Sequence, residues 1–483
     1  MIFERFEVPG LAHYSYLLGS ESQAVVVDPK RDIDSYLRFA EHKGLTITHV
    51  LETHIHADYA SGAVALAAAT GAELWLSAHD QGHEFTYQFK HHPFADGEEL
   101  ICGDLRIVAV HTPGHTPEHL SFLVYERSRC GQPLLLLSGD FLFVGSLGRP
   151  DLLGEAAKDD LANALYESVH TKTSNLPDGT AIHPAHGAGS LCGSGMSERP
   201  QSTLGYERHC NVFMSDQPRE LFVETILRTV PPFPHYYRRM KKVNAEGPRI
   251  LDELPGGQAF SPAEFESRIA EPGAIVLDLR TPDAFGGSHI PGSLNIGAGQ
   301  NLSLWAGWVV PYDRPLFLVG DAHTDLESAR RSLIRVGHDS IRGSLRGGFA
   351  AWAVAGKAQE HIPQLSVLEL ADKQEQSAFI LDVRNAKEWA EGHIASATSI
   401  PLGELPRRTH EIPRERPVHI ICGSGYRSSV AASLLRRSGV SAVKNVLGGM
   451  TAWKAHHLLS VDRAFAVVAG EAPPAGNSGA GRS

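Results

Sequence analysis

Cysteine is scarce in this chain: five residues in 483, Cys102, Cys130, Cys192, Cys210 and Cys422, fall without a common spacing. That excludes a disulfide framework and a zinc ribbon, so each thiol is read on its own. Long apolar runs are also missing, and nothing in the sequence reads as a membrane-crossing helix. Residues Met1 to Glu7 alternate apolar and charged side chains as a strand does and lack the basic-then-apolar order of a secretion signal, which predicts a cytoplasmic protein. Positive charge is in deficit. With 44 Lys and Arg against 55 Asp and Glu, the net charge is -11, and nucleic acid is disfavoured as the main partner despite the basic run Arg238-Arg239-Met240-Lys241-Lys242. Small molecules are the expected partners.

What is present is enough for several cores. A chain of 483 residues, 42% hydrophobic with 47 glycines and 29 prolines, predicts roughly three globular, loop-rich domains. From residue 1 to about 190, short β-like runs such as Ala24-Val25-Val26-Val27-Asp28 and Leu134-Leu135-Leu136-Leu137-Ser138 alternate with helical patterns such as Ala63 to Ala69, which predicts an α/β layered domain. Pro231-Pro232-Phe233-Pro234, Gly247-Pro248 and Pro255-Gly256-Gly257 mark a change of composition, so the first domain is set at 1–245 and a linker at 246–257. An internal repeat follows. Leu277-Asp278-Leu279-Arg280 recurs as Leu381-Asp382-Val383-Arg384, and Gly347-Gly348-Phe349-Ala350-Ala351-Trp352 recurs as Gly448-Gly449-Met450-Thr451-Ala452-Trp453. A period near 100 residues means two copies of one domain, set at 258–358 and 363–462. The tail 463–483, rich in Gly, Ala, Pro and Ser, is expected to be disordered.

The richest motif is His54-Ile55-His56-Ala57-Asp58, just after the apolar run Ile47-Thr48-His49-Val50-Leu51. Neutral imidazoles at a strand end suit a transition metal, and the alternation of His54, Ile55 and His56 sends both rings the same way. Three further clusters carry histidine or carboxylate after hydrophobic runs: His111-Thr112-Pro113-Gly114-His115-Thr116, Ser138-Gly139-Asp140 and His183-Pro184-Ala185-His186-Gly187.

These four clusters resemble the metallo-β-lactamase superfamily, which implies an αββα fold with metal held by loops at one edge of two packed sheets. Hydrolases of that superfamily commonly hold two metals and use a histidine directly after the Asp of the signature, where this chain has Tyr59. The better resemblance is to persulfide dioxygenases. It implies one Fe(II) per chain held by His54, His115 and Asp140, with His56, Asp58, Tyr59 and His186 behind the ligands, and three protein donors leave positions open for O₂ and a substrate sulfur. In Gly148-Arg149-Pro150-Asp151, Arg149 would orient the site or meet an anionic substrate group. Gly189-Ser190-Leu191-Cys192-Gly193 and the segment from Ser202 to Glu207 are expected near the substrate entrance, with Cys192 and Cys210 as candidate redox thiols.

The two repeats are not equivalent. In the second, Ile420-Ile421-Cys422-Gly423-Ser424-Gly425-Tyr426-Arg427-Ser428 leads a cysteine out of a buried strand, through a Gly-rich turn, into a helix N-terminus. Backbone N–H groups and the helix dipole there stabilise a thiolate or a persulfide anion, which makes Cys422 a nucleophile. This repeat resembles the rhodanese family, and the spacing from Cys422 to Arg427 matches its sulfurtransferase loop rather than the longer loop of related phosphatases. The resemblance implies that Cys422 and Arg427 are catalytic and that Gly423, Ser424, Gly425 and Tyr426 cradle the transferred sulfur. The first repeat has Gly320 in place of the cysteine and Asp325 in place of the arginine, so it is expected to be inactive and to serve packing, spacing or oligomer contacts.

The predicted function is oxidation of a small persulfide with O₂ to thiol and sulfite, coupled to sulfur transfer at Cys422 that gives thiosulfate, in a homo-oligomer of two or four chains without nucleic-acid or membrane partners. Two alternatives stay open: a zinc thioester hydrolase resembling glyoxalase II, and a non-catalytic sulfur carrier or persulfide sensor.

Overall fold

The computed structural model of the chain describes residues 1–230, 234–372 and 378–458. Part of the Pro-rich run and the whole tail from 463 lie outside the described residues. By their contacts the residues fall into two units, Met1–Arg280 with Ile296–Lys357, and Thr281–Asn295 with the chain from Ala358 onward.

The first unit begins with two six-stranded sheets. One contains β1 (Ile2–Val8), β2 (His13–Ser20), β3 (Gln23–Val27), β4 (Thr46–Leu51), β5 (Glu73–Ser77) and β6 (His92–Phe94), in that order. The other is built from β7 (Glu99–Cys102), β8 (Leu105–His111), β9 (Leu120–Glu126), β10 (Leu135–Gly139), β13 (Ala181–Pro184) and β14 (Ser202–Thr203), in the order β14-β13-β10-β9-β8-β7. Between β10 and β13 lies a small hairpin of β11 (Leu142–Phe143) and β12 (Ser146–Leu147).

The period of two along each strand explains the layers. Tyr16, Leu18, Val25 and Val27 point inward and pack with Phe94, Ile107, Phe122, Val124 and Leu137 in the core between the sheets. Their neighbours Leu17, Ala24 and Val26 point outward and are covered by Tyr36 and Ala40 of helix Asp34–Lys43 and Leu66 of helix Ala63–Thr70. On the far face, Leu165, Phe222 and Ile226 from helices Lys158–Glu167 and Arg219–Thr229 cover Ile182. Strands buried on both faces read as continuous apolar runs, and the architecture is αββα.

Each repeat is a parallel sheet whose central strand, Leu316–Val319 in the first and Val418–Ile421 in the second, is fully buried. In the first, Leu316–Val319 lies between Ile275–Asp278 and Ile341–Leu345, which in turn pairs with Ala259–Phe260. In the second the order is Gln364–Leu365, Val443–Val446, Val418–Ile421, Phe379–Asp382 and Ala397–Ser399. The repeated Asp-x-Arg is a buried fork. Arg280 donates to both oxygens of Asp278, with its closest contact at 2.6 Å, and Arg384 does the same to Asp382 at 2.6 Å, adding bonds to the carbonyls of Glu388 and Gly392. A buried guanidinium satisfied this way fixes the turn that leaves the strand.

Candidate metal centre and thiol loop

Strand ends assemble the first site. His54 follows β4, His115 lies in the loop between β8 and β9, Asp140 follows β10 and His186 follows β13. The structure brings one nitrogen of His54, one of His115 and one oxygen of Asp140 within 4.8 Å of one another. His115 Nε2 lies 3.3 Å and His54 Nε2 3.8 Å from Asp140 Oδ2. All three side chains are buried, and these three atoms have no hydrogen-bond partner. Buried polar atoms are rarely left in that state, so three that converge fit a bound cation.

Every other polar side-chain atom of these three residues is committed. Thr53 Oγ1 donates to Asp28 Oδ2 at 2.9 Å, so it accepts from His54 Nδ1–H at 2.9 Å and leaves Nε2 with its lone pair. The Arg149 carbonyl accepts from His115 Nδ1–H at 2.9 Å, with the same result. Burial, reinforced by neighbouring histidines, holds the pKa of both rings well below the usual imidazole value, which keeps them neutral. Asp140 Oδ1 accepts from His186 Nδ1 at 2.7 Å, and His186 Nε2 donates to Asp58 Oδ2 at 2.8 Å. Burial opposes the His186 cation, but the carboxylates of Asp140 and Asp58 outweigh it and raise its pKa well above the ordinary value.

Tyr59 is turned away from this row. Its hydroxyl donates to the Asp28 carbonyl at 3.2 Å, and its ring packs on His13 and His56 at 4.1 and 4.6 Å between centroids. His56 directs Nε2 to Asp28 Oδ1 at 3.1 Å, so it stands beside His54 without joining the three converging atoms. Asp58, His186 and Cys192 form a second buried group within 4.8 Å, in which His186 is already hydrogen-bonded on both nitrogens. Burial and the nearby Asp58 and Asp140 push the Cys192 thiol well up, whereas Cys210 is exposed at the end of helix Leu204–Cys210.

Arg149 is fully buried. Its guanidinium makes a two-point pair with Asp151 at 2.6 and 2.7 Å and donates to the Leu191 carbonyl at 3.0 Å, while its own carbonyl holds His115.

Several contributors were not singled out from sequence. His119 is buried and stacks on His54 at 5.1 Å, and its Nε2 accepts the Asp140 N–H at 3.0 Å. Asp28 has a left-handed backbone, φ 52°, and receives Thr53 N–H at 2.7 Å, Thr53 Oγ1 and His56. Helix His235–Glu246 pins the loop from outside: Lys241 donates to the Ile55 carbonyl at 3.0 Å, and Asn244 donates to the carbonyls of His56 and Tyr59 at 2.8 and 2.7 Å. The basic run is thus not a cationic surface. Lys241 is buried, Arg238 pairs with Glu84, Arg239 with Asp313 and Lys242 with Glu246. The weak spacing His115 to His119 was the one readable signal for His119.

In the second unit, Cys422 is buried at the end of Val418–Ile421. Gly425 N–H reaches its sulfur at 3.1 Å and the Ser428 hydroxyl lies at 3.3 Å. Gly425 takes φ 110°, which an L side chain resists, and it opens helix Tyr426–Arg437. Arg427 is clasped by Glu388 through two 2.6 Å contacts at this loop. The corresponding loop of the first repeat is filled: a Cβ on Gly320 would stand 2.7 Å from Thr324 Cβ. Asp325, in the arginine's place, caps helix Leu326–Arg335 by accepting from Ser328 N–H at 3.0 Å.

Comparison with known proteins matches residues 8–186 to the metallo-beta-lactamase superfamily and residues 261–355 and 366–456 to the rhodanese-like domain. A solved metallo-beta-lactamase from Staphylococcus aureus is 34% identical, with a TM-score of 0.63, over 71% of this chain and 98% of that one. The mitochondrial persulfide dioxygenase ETHE1 of Bos taurus is 27% identical over 44% of this chain and 80% of its own length. A hydroxyacylglutathione hydrolase of Polaromonas is 33% identical over 36% of this chain and 62% of its own. Among the described residues no helix is long and apolar enough to cross a membrane.

Proposed function

The chain belongs to the metallo-β-lactamase superfamily and carries two rhodanese-like domains, and from that premise we propose that it is an Fe(II) persulfide dioxygenase coupled to a sulfurtransferase. The observation that carries the reading is the trio of buried, unpartnered atoms His54 Nε2, His115 Nε2 and Asp140 Oδ2, beside a Tyr59 that turns its hydroxyl elsewhere. Two imidazoles and one carboxylate are the donor set of non-haem iron oxygenases, in which bound iron supplies the means of bringing O₂ and a substrate sulfur together. His54, His115 and Asp140 would hold it, one ion per chain. Likeness to the mitochondrial persulfide dioxygenase supports the same substrate class.

The chain's own residues do the positioning. Thr53 and the Arg149 carbonyl hold the two rings with Nε2 bare, and neutral rings keep those lone pairs available. His186, cationic between Asp58 and Asp140, fixes the second oxygen of Asp140 and leaves only Oδ2 to face the ion. Arg149 acts through its backbone and through packing. In the second unit Cys422 takes the sulfane sulfur of a persulfide RSSH: its thiolate attacks that sulfur, RS⁻ leaves, and Cys422 becomes a persulfide. Sulfite then attacks the outer sulfur, forming thiosulfate and restoring the Cys422 thiolate. Gly425 N–H and the Ser428 hydroxyl steady the sulfur through both steps.

The domain division at 1–245, 258–358 and 363–462, a cytoplasmic location and a dimeric or tetrameric assembly complete the proposal. The test is metal analysis of anaerobically purified protein together with O₂ uptake on glutathione persulfide. About one iron per chain with O₂ consumed is expected; two zinc ions without O₂ uptake refute the dioxygenase. The hydrolase likeness makes S-lactoylglutathione the comparison substrate, and no turnover of it is expected.

A further inference from the structure

The first repeat has lost its sulfur chemistry but is bonded directly to the loop that carries the metal signature. We propose that this repeat is a positioning element for the metal centre, and that Arg335 is its positioning residue. The proposal rests on the reading that His54, His115 and Asp140 hold a metal.

Two segments of the first domain lie side by side behind the ligands: the turn after β3, from Asp28 to Ile33, and the loop after β4, from Glu52 to Gly62. Gly62 N–H donates to the Pro29 carbonyl at 2.8 Å, Lys30 and Ser61 form an antiparallel bridge, and a Cβ on Gly62 would stand 2.1 Å from the Lys30 oxygen. Arg335 clasps both segments. Its Nε and Nη2 donate to Asp32 Oδ1 and Oδ2 at 2.6 and 2.7 Å, and its carbonyl accepts the Ala60 N–H at 2.7 Å. As the last residue of helix Leu326–Arg335 it has a carbonyl that no later turn of that helix can satisfy, and Ala60 supplies the partner.

The clasp reaches the ligands through a short series of bonds. Asp32 sits four residues after Asp28, whose strained left-handed backbone needs outside support. Asp28 in turn holds Thr53 and His56, and Thr53 Oγ1 sets the ring of His54. On the other branch Ala60 follows Tyr59, which donates to the Asp28 carbonyl. Arg31 with Asp339 at 2.8 Å and Arg331 with Asp34 at 2.6 Å flank the clasp, so the contact is an extended one.

The test uses the full-length chain. In Arg335→Ala, hydrogen exchange of segment 52–62 is expected to accelerate, Co(II) loaded in place of iron to bind roughly tenfold more weakly, and its visible spectrum to change. Arg335→Lys should restore part of both, and Lys357→Ala, which breaks the Lys357–Glu266 pair of the same repeat, should change neither. Far-UV circular dichroism and thermal unfolding of the full-length chain serve as the check that the variants are folded; if Arg335→Ala fails it, Asp32→Asn takes its place. Unchanged exchange in 52–62 overturns the clasp. Faster exchange with wild-type Co(II) affinity and spectrum overturns the positioning role. If the wild-type chain binds no Co(II), the metal reading itself fails, and the exchange result stands apart from that failure.

Discussion

Replacing Glu388 with glutamine isolates the electrostatics of the thiol loop. Glu388 lies beside the loop with both carboxylate oxygens on Arg427 at 2.6 Å, and that hydrogen-bonded pairing overrides partial burial to hold its carboxyl below the usual range, so it is charged at neutral pH. The two side chains are 21% and 30% exposed, so losing the pair costs less than about 1 kcal/mol of stability. The kinetic effect is larger and selective. Sulfite arrives as a dianion, and at a separation of about 6 Å a carboxylate opposes it by roughly 1.4 kcal/mol even at the dielectric of water. Glutamine removes that repulsion and frees the Arg427 guanidinium to meet the acceptor, so the KM for sulfite should fall about tenfold at low salt. The KM for an uncharged thiol acceptor such as dithiothreitol should stay within about twofold, and the sulfite effect should shrink as salt screens it. Initial-rate measurements of sulfur transfer from glutathione persulfide to each acceptor, at two ionic strengths, provide the assay. Parallel changes for both acceptors, or an unchanged KM for sulfite, would refute the view that Glu388 tunes the charge at this loop.

Three further outcomes are expected. Cys422→Ser should lower thiosulfate formation at least a hundredfold while O₂ uptake continues, and undiminished thiosulfate would remove Cys422 from the reaction. His115→Ala should cut iron retention on dialysis at least a hundredfold, because one of three donors is lost; metal analysis at wild-type stoichiometry would contradict the ligand assignment. His338 is buried against Tyr312, and burial lowers its pKa to about 4 from 6.5. Its stabilising neutral form is fully present above pH 6.5 and is lost as pH falls towards 4, a change of about 3 kcal/mol, so His338→Gln should make the fall in urea-denaturation stability across that window shallower by about that amount.

The convergence of His54, His115 and Asp140 was legible because histidines and carboxylates gathered after apolar strands have few other reasons to occur together. The strand pattern from Val25 to Val27 was legible for a similar reason, since a run buried on both faces must be apolar throughout. What surrounds the ligands was not legible. Asp28, Lys241 and Asn244 reach the loop across the fold, and nothing in their neighbourhoods along the chain marks them. Arg149 acts on His115 through a carbonyl, a group every residue has. Nothing in the basic run around Arg239 showed that its charges are met by Glu84, Asp313 and Glu246, or that Lys241 turns into the core. For the first repeat, the missing cysteine and arginine were visible at once, whereas its bond to Ala60 could be seen only in three dimensions.

That bond also bears on the order in which the protein is made. Arg335 and Asp32 are 303 residues apart in sequence, so during synthesis the loop after β4 waits for most of the chain before its clasp can close. Contacts so distant form late. The N-terminal domain can therefore collapse around its two sheets early, while the arrangement behind His54 is completed only after the first repeat has folded. A ribosome-bound fragment ending before residue 335 should thus be compact but poor at retaining metal until the first repeat has been made and folded.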